Sequence, residues 1–223
     1  MCFSAGASFG ISAVLMAGGI SAVRKASVQS QLPFAFIPII FSMQQFIEGI
    51  LWMSLTNPIY ENWQQVSTYT FLIIAQVAWP VWVPVSMVLL EKDLKRKKML
   101  VRLTGLGCIV SLCLAYSLLN YRIISGISSH HISYGIAYPY SYMRSFSIFY
   151  FIPTAIPFFI SSVKKMSIIG SILLVSFIIA KLFFGEYVIS VWCFFAASIS
   201  IAILLIMSSF KASSEKLNNL MAK

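Results

Sequence analysis

Acidic residues are scarce in this chain. Six Asp and Glu stand against sixteen Lys and Arg in 223 residues, and charged residues of all kinds make up only 10%. Asp93 is the single aspartate and His130 and His131 are the only histidines, so a serine-histidine-aspartate triad has almost nothing to draw on. The four cysteines, Cys2, Cys108, Cys113 and Cys193, include no CxxC pair, which removes the common zinc and dithiol signatures. The chain also lacks GxGxxG after a strand, a P-loop and HExxH, which leaves no motif for a nucleotide-binding or zincin reading.

Apolar residues fill the space that charge leaves. They make up 59% of the chain, and the mean hydropathy is +0.88, well outside the range of soluble globular domains. A helix needs about 20 mostly apolar residues to cross a hydrocarbon core. Such stretches occur at 3–23, 34–55, 66–90, 103–120, 145–163, 166–184 and 188–210. None shows the period-two alternation of a barrel strand, so the expected fold is all-α: a polytopic bundle of seven transmembrane helices over residues 1–210, with a short tail at 211–223. The small residues of GASFG and AGG in the first span suit close helix packing.

Charge then sets the expected orientation. Thirteen of the sixteen basic residues fall at Arg24 and Lys25, between Lys92 and Arg102, at Lys164 and Lys165, and in the tail. Only Arg122, Arg144 and Lys181 fall on the other side. The positive-inside rule therefore predicts an outer N-terminus and a cytoplasmic C-terminus in the inner membrane, with the first span retained because Arg24 and Lys25 follow it. The net charge of +10 invites a nucleic-acid reading, but its densest run, EKDLKRKK, is a short turn that also carries Glu91 and Asp93. It reads as a topology signal facing anionic headgroups, so the expected partner is the lipid bilayer and not nucleic acid.

Polar residues inside the spans are the candidate site, because charge at mid-membrane costs at least about 2.5 to 3.5 kcal/mol on insertion scales. In FSMQQFIEGILWMSL, Gln44, Gln45 and Trp52 lie three or four positions from Glu48 and share its helical stripe. Glu48 is expected to face the bundle in the outer half of the membrane. The third span offers Gln76 and Trp79 as an opposite wall, and Pro80, Pro84, Pro153 and Pro157 predict kinks that open a cavity. Lys181 sits near the end of its span, where it either snorkels or serves as a cationic counterpart. Cys108 and Cys113 are not on one helical face, and a bridge between Cys2 and Cys193 is left open.

The longest connection, 121–144, is rich in tyrosine and isoleucine. It is expected to lie at the interface or to fold over the bundle mouth as a lid. A metal site would combine His130 or His131 with Glu48, Glu186 and Cys2, donors that suit zinc, copper or iron.

The opening MCFSAGASF and the QQFIEGILW segment, with SHHISY beside them, resemble a family of uncharacterised bacterial multi-span membrane proteins. The resemblance implies the membrane class and points to Cys2, Gln45, Glu48 and His131; it implies no reaction. Three readings follow. One is a protein that binds or transports a small ligand or ion at Glu48. Another is a metal-dependent hydrolase acting on a lipid, broadly like the seven-span alkaline ceramidases, although their site resembles a three-histidine zinc centre and this chain has two adjacent histidines. The last is a structural subunit of a membrane complex.

Overall fold

A computed structural model of the chain describes residues 4–128, 131–136, 140–183 and 187–221. It is mostly helical, and the sequence marks where the helices start. Ser4 Oγ accepts the Ala7 N–H at 3.2 Å and caps α1 (Ala5–Arg24). Asp93 Oδ1 accepts the Arg96 N–H at 2.8 Å and caps α6 (Leu94–Asn120). Proline lies in the first turn of α2 (Leu32–Ala35) and α3 (Ile37–Thr56), where its missing N–H deprives no intrahelical carbonyl; it also lies in the first turn of α5 (Trp79–Leu90).

Five stretches are long and apolar enough to cross a membrane: Ala5–Arg24, Gln29–Thr56, Pro58–Leu90, Leu94–Asn120 and Met166–Phe183, the last being α8. On α6, Ile109, Leu112, Tyr116 and Leu119 form an exposed stripe, from 61% exposed at Ile109 to 84% at Leu119. Lipid suits such a surface and water does not. Helix α7 (Tyr140–Ile160) contributes a shorter apolar segment, Phe149–Ile160.

The last expected span departs from a single helix. It is divided into α9 (Val188–Ala197) and α10 (Ile199–Met221) at Ser198. There the Ser198 N–H and hydroxyl both bond back to Phe195 O, at 3.0 and 2.5 Å, and Ile201 N bonds to Ser198 O at 3.3 Å. These tightened three-residue turns, with a serine competing for the backbone carbonyl, interrupt the helix without proline or glycine. Beyond the expected span end, α10 continues through most of the tail to Met221, helped by Lys211 and Glu215 one turn apart at 3.8 Å.

The third span is continuous but irregular. Helix α4 (Gln64–Leu72) passes through a π-helical stretch, Ile73–Ala78, into α5. A π turn pairs each carbonyl with the N–H five residues on, and for Ala75 that position is Pro80, which has none. Tyr150 of α7 supplies the missing donor to Ala75 O at 2.5 Å, and Ser111 of α6 donates to Val77 O at 2.6 Å. The expected kink is thus a seam through which neighbouring helices bond to α5. Packing there is tight, since a Cβ on Gly107 would stand 1.9 Å from Pro80 O.

Only part of the small-residue set of α1 packs on α3, since a Cβ at Gly6, Gly10 or Gly18 would meet nothing within 4 Å. Ser12 and Ser42 exchange hydroxyl-to-carbonyl hydrogen bonds of 2.8 and 2.7 Å, and Gly19 lies directly against Ile39.

The long connection holds the only strands among the described residues. Strands β1 (Ile123–Ser128) and β2 (His131–Ile136) pair antiparallel, with Ser125 opposite Tyr134. The hairpin lies against the bundle. Tyr134 stacks on Phe71 with ring centroids 5.1 Å apart, and Ser125 is bonded by Gln64 (3.1 Å to its carbonyl) and paired with the Thr68 hydroxyl (2.8 Å). Ile132 and Tyr134 join Leu51, Trp52 and Leu118 in a common apolar cluster.

Candidate functional site

Helix α3 carries Gln44, Gln45, Glu48 and Trp52 on one stripe, and all four are buried; the two glutamines and Glu48 have no exposed surface at all. Glu48 lies about 17 Å along the helix from Ile37 at 1.5 Å per residue.

The carboxylate is held from two elements. Gln45 Nε2 donates to Glu48 Oε2 at 3.1 Å, and the Ser190 hydroxyl of α9 donates to Oε1 at 2.6 Å. Both donors are compatible with an ionised or a neutral acid. Trp79 Nε1, arriving from α5, donates to Gln44 Oε1 at 3.0 Å. Cys193, one helical turn beyond Ser190, is buried and close enough to Gln44 and Glu48 to interact with both. Helices α3, α5 and α9 therefore converge on a single polar group inside an apolar interior.

Hydrogen bonding within this group is incomplete. Gln44 Nε2, Gln45 Oε1 and Trp52 Nε1 are buried and bond to no protein atom in acceptable geometry, even though Gln44 Nε2 is near the Cys193 thiol. A buried donor or acceptor left unmade costs about 1 to 3 kcal/mol, so a further hydrogen-bonding partner in this group would be stabilising.

A cavity of about 30 Å³ adjoins the group, with Trp79 and Cys193 in its wall. Phe41, Tyr150 and Trp192 line it as well; Phe41 stacks on Trp79 at 4.2 Å, and Trp192 Nε1 is another buried donor without a partner. That volume holds about one water-sized species.

The remaining candidates are dispersed. Gln76 is half-buried in the π-helical stretch with Oε1 unpartnered. Lys181 is exposed on α8 with Nζ 5.7 Å above the Phe177 ring, the snorkelled arrangement, and it does not join the buried group. His131 is buried in β2, its ring 5.1 Å from that of Tyr187. Cys2, His130 and Glu186 lie outside the described residues. Among the described residues no three His, Cys, Asp or Glu side chains are grouped closely enough to hold a metal ion. Cys108 and Cys113 are exposed on α6.

Ser190 is a member that the sequence pattern did not single out, and that pattern offers Cys193 only as a partner for Cys2 and not as part of the Glu48 stripe. Their signal was a three-residue spacing within VISVWCF, which places a hydroxyl and a thiol on one face of an otherwise apolar helix.

No curated protein and no solved structure matches the chain. A family model does, over residues 1–218, and the chain belongs to that family, DUF6629, a family of unknown function.

Proposed function

We propose that this protein is a seven-span bundle of the cytoplasmic membrane, N-terminus outside, whose buried group around Glu48 binds a small polar ligand or ion. The observation that carries the reading is the set of buried, unpartnered atoms on the Glu48 stripe: Gln44 Nε2, Gln45 Oε1 and Trp52 Nε1. Together they offer two donors and an acceptor beside a carboxylate, a recognition surface for a ligand with both hydrogen-bonding senses. The adjoining cavity of about 30 Å³ admits a species of water size without rearrangement. Anything larger requires the β1–β2 hairpin, which covers the Trp52 end of the stripe, to lift. The seven spans are the five long apolar stretches together with α7 and the α9–α10 pair, and the basic turns favour the orientation.

A second reading, a structural subunit, is favoured by one feature. Glu48 already receives bonds from Ser190 and Gln45, as it would if it served only to pin α3 to α9. A lipid hydrolase would need metal donors from Cys2, His130 or Glu186, and nothing among the described residues supports it over the other two.

Melting temperatures of the purified chain, measured against a panel of small cations, amines and polar metabolites, separate binding from pinning. Binding predicts at least one stabilising compound whose effect disappears in Glu48→Gln while that variant still folds. A panel with no hit, or hits that survive the substitution, rejects the site.

A further inference from the structure

The two acids of EKDLKRKK do not pair with its lysines. Glu91 is 2% exposed and turned inward. Its Oε1 accepts the Lys92 and Asp93 N–H groups, both at 3.0 Å, and the Ser162 hydroxyl at 2.5 Å, while Oε2 accepts the Ser162 N–H at 2.7 Å. Asp93 is occupied by the Arg96 N–H, and Arg96 Nη1 donates to Ile160 O at 2.8 Å. These bonds fasten the turn between α5 and α6 to the turn between α7 and α8.

The result is a positive surface from which Glu91 is withdrawn, while exposed Asp93 is engaged as the cap of α6. Lys92, Lys95, Lys98, Arg102, Lys164 and Lys165 are all exposed, and the only ion pair among the described residues, Lys211 with Glu215, lies elsewhere on α10. Leu94, Met99 and Val101 are exposed among these cations, on a helix that continues directly into a candidate span. Exposed apolar side chains interleaved with lysines at a span end fit the level of lipid headgroups, where lysine stems rest on hydrocarbon and ammonium groups meet phosphate. Nucleic acid would be better served by aromatic residues, and none is exposed between Lys92 and Arg102.

We propose that this clamped surface binds the phosphate-bearing headgroups of anionic phospholipids in the leaflet it faces. The inference depends on membrane insertion and is independent of any role for Glu48. Because the two turns are fastened together, both contribute cations to one surface, and the ordering cost is met in folding and not in binding.

The test is thermal unfolding of the full chain in neutral detergent, titrated with phosphatidylglycerol or phosphatidylcholine. The comparison variant carries Lys92, Lys95, Lys98, Lys164 and Lys165→Gln, and a companion changes the same five to Arg. Phosphatidylglycerol should raise the melting temperature by about 4 °C or more and phosphatidylcholine should not. The Gln variant should lose about tenfold in apparent affinity, the Arg variant should keep it, and about 0.5 M salt should weaken the wild-type response. If the Gln variant does not fold, the salt dependence of wild type decides. Equal stabilisation by the two lipids, a salt-insensitive response, or full retention by a folded Gln variant overturns the proposal. So does displacement of the lipid by an equal concentration of inorganic phosphate or single-stranded DNA.

Discussion

Removing the Glu91 carboxylate should loosen the basic end of the bundle by a predictable amount. Four donors converge on that group, but they are not equivalent. The Lys92 and Asp93 N–H groups belong to the same turn and can rotate toward water when the carboxylate is lost. The Ser162 N–H and hydroxyl cross from the other turn, and their two bonds, 2.7 and 2.5 Å long, are the ones that join the elements. A hydrogen bond to a charged group is worth about 1.5 to 3 kcal/mol, so Glu91→Ala should cost about 3 kcal/mol or more. Glu91→Gln keeps one carbonyl acceptor and should cost about half as much. Ser162→Ala should cost about 1.5 kcal/mol, and the double variant should fall short of the sum by at least about 1 kcal/mol because the residues share a bond. Denaturant unfolding in detergent, read by tryptophan fluorescence, provides all four corners of the cycle. Additivity within about 0.5 kcal/mol would show that the clamp does not act as drawn.

The same clamp has a pH signature. Burial pushes the Glu91 carboxyl up, but the bonds from Ser162, Asp93 and Lys92 outweigh it and hold the group below its ordinary value. A carboxyl depressed on folding contributes its full stability above the unfolded value, about 4.3. As pH falls below that value, the unfolded chain takes up the proton first and the contribution shrinks until the folded carboxyl protonates too. Glu91→Gln should flatten this part of the acid side of the stability curve.

Three further outcomes follow from packing. Gly107→Ala puts a methyl 1.9 Å from Pro80 O, a backbone atom that cannot swing aside, and should cost at least about 3 kcal/mol or prevent folding, as shown by yield and melting temperature. Lys165 adopts φ 70 in the turn after α7, so Lys165→Gly should stabilise the chain by about 1 kcal/mol in the same unfolding assay. Ser190→Ala removes the 2.6 Å donor from Glu48 and should destabilise by about 1 to 2 kcal/mol; an unchanged melting temperature would mean that the contact contributes nothing.

Hydropathy located the helices because lipid-facing and buried surfaces are both apolar, and runs such as Met166–Phe183 need no partner to be recognised. The Glu48 stripe was legible for a related reason: charge and amide at helical spacing inside an apolar run have few affordable positions other than the interior. What pattern reading missed depends on partners distant in sequence. Ser190 is 142 residues from Glu48, and no local spacing announces the pair. The hairpin was hidden because Ile123–Ser128 and His131–Ile136 alternate imperfectly and their burial depends on Phe71 and Trp52. Ser198 interrupts the last expected span through hydrogen bonds back to Phe195, a use of serine that composition does not distinguish from a solvated one. Glu91 looked like a diluent among lysines because its donors are mostly backbone N–H groups, which a sequence does not display.

An experimentally determined density map of the wild-type chain in a lipid nanodisc, at a resolution that shows ordered small molecules, addresses the buried group directly. The account predicts a discrete non-protein feature hydrogen-bonded to Gln44 Nε2, Gln45 Oε1 or Trp52 Nε1 beside Glu48, and its loss in Glu48→Gln. A solid interior in which all three atoms find protein partners would contradict it and leave the carboxyl as a pin between α3 and α9.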